Sequence, residues 1–137
     1  MSTQDLIPHG PPLCLVDRLL EFKDQSGLLE SSLEADNVLI GDDGRLNRPA
    51  LVEMMAQSYA AVKGYEHLLE GRPIKMGFLV GVRRIEFRGR SFKGDRFEIH
   101  VKKEGGIGDF AVIMGEVRRK GKVIASGTIK LWMPEMP

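Results

Sequence analysis

The sequence predicts an α+β domain in which one long central helix is wrapped by a curved antiparallel sheet. Three observations point there. The stretch from Ala50 to Val62, within a helix expected over Pro49 to Leu69, is apolar or small on nearly every face, the pattern of a helix buried all round. The chain after Pro73 alternates apolar and polar residues with a period of two. Glycine-rich connections such as Gly105-Gly106-Ile107-Gly108-Asp109 and Arg119-Lys120-Gly121-Lys122 mark hairpins between those alternating runs. A sheet that curves around such a helix covers it and turns it into core.

Leu6-Ile7-Pro8-His9-Gly10-Pro11-Pro12 carries three prolines and a glycine, which predicts an extended lead-in. Leu13 to Val16, with Asp17-Arg18 and Leu19-Leu20, reads as a strand or a half-turn. After the turn residues Asp24-Gln25-Ser26-Gly27, a second strand is expected up to Ala35. Asp36 to Arg45 supplies turn chemistry, and Asn47 or Arg48 caps the helix, with Pro49 in its first turn. The helix ends before Gly71-Arg72-Pro73 and is roughly 30 Å long. Strands are then expected over Met76–Phe87, Phe97–Val101 and parts of Phe110–Val117 and Val123–Met133, joined as an antiparallel meander. A small sheet cannot cover every face of the helix, and its open edge invites pairing. The expectation is therefore a homodimer or a higher assembly of dimers.

A chain of 137 residues fits a single domain spanning 1–137, with hydrophobic residues at 42% and charged residues at 28%. Lys+Arg 20 against Asp+Glu 19 gives no reason to expect nucleic acid. The single cysteine, Cys14, excludes an internal disulfide and speaks against a cysteine-based zinc site. With no basic-apolar leader and no run long enough to span a membrane, the expected setting is the cytoplasm. No phosphate loop, nucleotide fingerprint, serine elbow or metal motif is present, so neither cofactor nor metal is expected.

Within the oily helix, Glu53 and Gln57 lie four residues apart and so stack on one face. A carboxylate there must be paired, hydrogen-bonded or protonated, whether its role is chemical or only structural. The free backbone N–H groups of the first turn, from Arg48 through Pro49 and Ala50 to Leu51, can polarise a carbonyl oxygen. Pro49 itself contributes none. Positive charge gathers from Gly81 to Lys103 in Arg83, Arg84, Arg88 and Arg90 and their neighbours, either a solvated strand face or a docking surface for an acidic partner. His67 and His100 have no carboxylate or cysteine at metal-ligand spacing.

Three segments resemble the β-hydroxyacyl-acyl carrier protein dehydratases of the hotdog fold, the FabA/FabZ type. Leu6 to Arg18 is similar to the family's opening L-P-H-R-x-P-x-L-L-V-D-R. Leu51-Val52-Glu53-Met54-Met55-Ala56-Gln57 is similar to its helix pattern of aliphatic residues followed by E-A-x-A-Q. Gly81 to Arg88, with Gly94-Asp95, resembles G-[IV]-x-x-[AV]-[KR]-F-[KR] and P-G-D. Within the family, the chain looks most like the short dehydratase-like proteins of aryl-polyene pathways.

The resemblance implies a hotdog dimer, or pairing with a related hotdog chain, that acts on an acyl carrier protein or CoA thioester. It implies Glu53 as the acid or as a group binding the hydroxyl, Gln57 as the group that orients it, and a substrate carbonyl over Arg48, Pro49, Ala50 and Leu51. The basic residues Arg83, Arg84, Arg88 and Arg90 would then receive the carrier protein. One feature departs from the family: Leu39 to Ala50, where its catalytic histidine lies, contains none. His9 is the remaining imidazole in a family-like segment. A non-catalytic acyl-binding subunit and an acyl thioesterase are the alternatives.

Overall fold

The computed structural model describes residues 16–32, 48–72, 77–89 and 95–134. Among these residues six strands and one helix follow in the order β1 (Arg18–Lys23), β2 (Ser26–Ser32), α1 (Arg48–Leu69), β3 (Phe78–Phe87), β4 (Arg96–Ile107), β5 (Phe110–Arg119) and β6 (Lys122–Trp132). The strands form one antiparallel sheet in the order β1-β2-β4-β5-β6-β3. Only β4-β5-β6 is a meander of sequence neighbours. The expected placement of β3 beside β4 is corrected: β3 pairs with β6 at the far edge, and β2 takes the position next to β4.

Alternation decides which face of the sheet meets the helix. In β4, Phe97, Ile99 and Val101 are buried while Arg96, Glu98, His100 and Lys102 are exposed. In β5, Ala111, Ile113, Gly115 and Val117 form the inner row. Gly27 and Gly115 mark close approaches to the helix, because a Cβ there would lie 2.6 Å from Val62 Cγ2 and 2.8 Å from Met55 Sδ respectively. Met54, Met55 and Tyr59 fill the space between helix and sheet together with Leu29, Ile113, Ile129 and Leu131. From Ala50 to Val62 every helical residue is buried except Glu53, which is half-buried. The helix is thus covered within one chain, and no open helical side remains over that stretch to demand a partner.

The stop signals act as expected. Gly71 takes φ 69°, the Arg72 N–H donates to the His67 carbonyl at 2.8 Å, and the Gly71 N–H donates to the Leu68 carbonyl at 3.2 Å. That is a Schellman closure, which satisfies carbonyls the last turn would otherwise leave open. β4 runs further than expected, through Gly105 and Gly106 to Ile107, so its turn to β5 is only Gly108-Asp109. An irregularity between Lys103 and Gly105 absorbs the glycines into the strand, and the bare Gly106 lets the Phe110 carbonyl pass close by.

Candidate active site

Glu53 sits in the second turn of α1, with Gln57 one turn on and 3% exposed. The Gln57 Nε2 donates to Glu53 Oε1 at 3.5 Å, a long contact that orients the carboxylate while leaving it room for a stronger partner. Half-burial leaves part of Glu53 open to solvent. The buried amide holds it from behind.

Arg48 and Pro49 lie exposed at the helix start, whereas Ala50 and Leu51 already face the core. The Arg48 guanidinium carbon stands 5.1 Å from the centroid of Phe87, the last residue of β3. This cation–π contact joins the end of β3 to the first turn of α1. The alternating pattern marks Phe87 as facing inward. Its pairing with a residue so far back in the chain has no sequence signal.

Of the basic residues, Arg83, Arg84 and Arg88 are exposed on the second half of β3 or just past it. Arg84 adopts φ 47° within an irregularity between Arg83 and Glu86. Arg88 pairs with Glu86 at 2.8 Å, which offsets one of the three charges. Arg48 meets the Phe87 end of that strand, and Arg88 follows Phe87 directly in the chain. Arg90 and His9 lie outside the described residues.

The other two histidines are placed away from Glu53. His67 is buried in the last turn of α1, fourteen positions on and therefore about 21 Å along the axis. His100 is on the outer face of β4, opposite Glu116 and Leu28. Two open hollows of about 910 and 420 Å³ are lined by parts of β1, β2, β4 and β5; neither Glu53 nor Gln57 is among their described lining residues. Among the described residues no cluster of histidine, cysteine and carboxylates could hold a metal ion. No helix there is long and apolar enough to cross a membrane.

The profile of the ApeP-like family, described as ApeP dehydratase, matches residues 1–137. The chain belongs to the ApeP-like dehydratase family. It is 32% identical over 133 residues to the 3-hydroxyacyl-[acyl-carrier-protein] dehydratase FabZ of Rhodospirillum rubrum, covering 90% of this chain and 80% of that one. To FabZ of Anaeromyxobacter sp. it is 28% identical over 130 residues, covering 91% and 83%.

In fold it resembles a chain of the dehydratase heterocomplex ApeI:P from Xenorhabdus doucetiae, with TM-score 0.91 at 20% identity, covering 98% of this chain and 92% of that one. A hypothetical thioesterase from Streptococcus pneumoniae, solved with coenzyme A, is more distant: TM-score 0.65 at 12% identity, covering 87% and 86%. The ApeP-like chain therefore has the hotdog fold expected of it. It is a dehydratase-family protein of the FabA/FabZ type.

Proposed function

We propose that this chain takes part in dehydrating a 3-hydroxyacyl thioester carried on an acyl carrier protein or CoA, in fatty acid or polyene lipid biosynthesis. The observation that carries the reading is the half-buried Glu53 held by Gln57 near the start of an otherwise apolar helix. A base removes the proton beside the thioester carbonyl, the electron pair forms the 2,3 double bond, and the hydroxyl leaves as water with a proton from Glu53. First-turn N–H groups between Arg48 and Leu51 stabilise the enolate-like oxygen. The products are an enoyl thioester and water.

The base is an imidazole that His67 and His100 cannot supply from where they lie. His9 is the remaining candidate in this chain; a related hotdog partner is the other. The named heterocomplex ApeI:P supports the second choice. If the partner carries all the chemistry, this chain is an acyl-binding subunit, a reading favoured by the lack of histidine between Leu39 and Ala50.

Arg83, Arg84 and Arg88, beside the helix start, suit an acidic carrier protein arriving there. The chain works as a homodimer, or with that related partner, in the cytoplasm. Its lone Cys14 fits a reducing compartment.

The deciding experiment incubates the purified protein, alone and with its hotdog partner, with a 3-hydroxyacyl carrier-protein thioester and follows mass. Loss of one water by the protein alone supports catalysis with His9. Loss only in the mixture assigns the base to the partner. Release of free thiol would overturn the dehydratase reading in favour of a thioesterase.

A further inference from the structure

On the outer face of the sheet, Ile107, Phe110, Trp132 and Phe78 stand directly opposite one another across β4, β5, β6 and β3. Their neighbours Ala111 and Leu131 are buried against the helix, so this row faces away from it. Ile107 is 87% exposed at the hairpin tip, and Phe110, Trp132 and Phe78 are 41%, 40% and 40% exposed. At a strand spacing of about 4.8 Å the row is about 14 Å long. Phe78 and Trp132 are in ring contact, with centroids 5.6 Å apart.

Cations border this row. Lys130 holds its Nζ 4.8 Å from the Phe110 ring centroid. One outward-facing row further on come Lys102 and Arg83, with Met114 and Thr128 between them, and Lys23 continues the line through Ser26. Against these four stand Asp109 in the turn, Glu104 in the irregular part of β4 and, in the next outward row, Glu21 and Glu116, the latter paired with Arg118.

Three occupants compete for such a surface. A second copy is the poorest: the row exposes only a few hundred Å² of apolar area, where a stable interface needs about 800 Å² from each partner, and like cations would meet across it. An acidic helix needs a groove for its apolar anchors. The row lies on the outward-facing surface outside both described hollows; the hollow of about 420 Å³ beside it holds Lys23 and Lys102 but also Glu21 and Glu116, which would repel an acidic helix. A lipid surface needs the opposite shape, a protruding apolar edge with aromatics at headgroup depth and cations behind it. Ile107 at the tip, three aromatics beside it and a basic band one step back have that shape.

We propose that the β4–β5 hairpin tip and the aromatic row beside it dock this protein on an anionic lipid surface. The contact is peripheral and reversible, and it leaves Glu53, on the other side of the sheet, unobstructed. It does not depend on the dehydratase reading.

The experiment uses flotation with phosphatidylcholine vesicles, with and without phosphatidylglycerol, and the emission of Trp132, the chain's one tryptophan. With phosphatidylglycerol present, the protein is expected to float and Trp132 to shift to the blue. Ile107→Ser, at an exposed tip where folding tolerates it, should weaken partition about tenfold. Lys130→Glu with Lys102→Glu should abolish the preference for phosphatidylglycerol. No flotation with either vesicle overturns the proposal, as does Ile107→Ser floating like the wild type. Unchanged Trp132 emission with vesicles, together with carrier-protein binding lost in Ile107→Ser, would assign the row to an acidic protein instead.

Discussion

Glu53 and Tyr59 are both polar groups in the buried helix, but their surroundings give them opposite consequences. Glu53 is half-buried and touches Gln57, so Glu53→Gln keeps the shape and hydrogen-bonding capacity while removing the transferable proton. Turnover, in whichever assembly is active, should fall by about 10² or more with little change in melting temperature. Full activity in that variant would move the acid role elsewhere. Tyr59 is 0% exposed and its hydroxyl has no hydrogen-bond partner among the described residues. Burial, and then the carboxylates of Glu66 and Asp24, push its phenol well above the ordinary value of 10.0.

The sign follows from the unfolded chain releasing this proton first. The Tyr59 contribution is complete below pH 10 and is lost as pH rises toward the folded value. Tyr59→Phe should therefore flatten the alkaline fall in melting temperature. Near neutral pH it should stabilise the fold by about 1 kcal/mol, since an unpaired hydroxyl leaves the core. A melt that falls as steeply above pH 10 in the variant would count against this account.

At the scale of elements, the sheet is held to its shape by places where a side chain cannot fit. A Cβ on Gly127 would lie 2.7 Å from the Arg84 carbonyl oxygen and 2.8 Å from Ile85 Cα, both backbone atoms that cannot swing aside. Gly127→Ala should push β3 off β6 and cost about 2–3 kcal/mol, read as a lower denaturation midpoint. Weakened carrier-protein binding should accompany it, because Arg83 and Arg84 ride on the displaced strand.

The helix was legible because its signals are local: Pro49 at the start, Gly71 at the end, and apolar residues between. The long strands were legible through their alternation. The place of β3 was not, because a period of two says which face a residue takes and nothing about which strand lies beside it. For the same reason Glu53 and Gln57 could be paired from a spacing of four. The Arg48–Phe87 contact, which brings the basic strand to the helix start, depends on that strand order.

For the whole molecule, the unsettled surfaces are the two edges of the sheet. β1 is six residues long and carries exposed Arg18, Glu21 and Lys23, the charged kind of edge that discourages pairing. β3 is ten residues long and exposes Phe78, Leu79, Val80 and Val82. Since the helix from Ala50 to Val62 is covered within one chain, the case for a partner rests on this second edge. Joining two chains antiparallel along the full length of β3 would set the basic half of each strand against the apolar half of the other and make carrier docking a property of the pair.

Val82→Lys places a charge in that edge without touching the buried core. It should yield a monomer by light scattering at micromolar concentration, with melting no longer dependent on concentration. Arg84→Glu should instead leave the mass of the assembly unchanged and weaken carrier-protein binding in a salt-dependent way. Its effect should exceed that of Arg88→Glu, because Arg88 is already paired with Glu86. A wild-type protein that is monomeric under the same conditions would remove β3 as the meeting edge. Arg84→Glu binding as tightly as wild type at low salt would detach the basic strand from carrier recognition while leaving the dimer untouched.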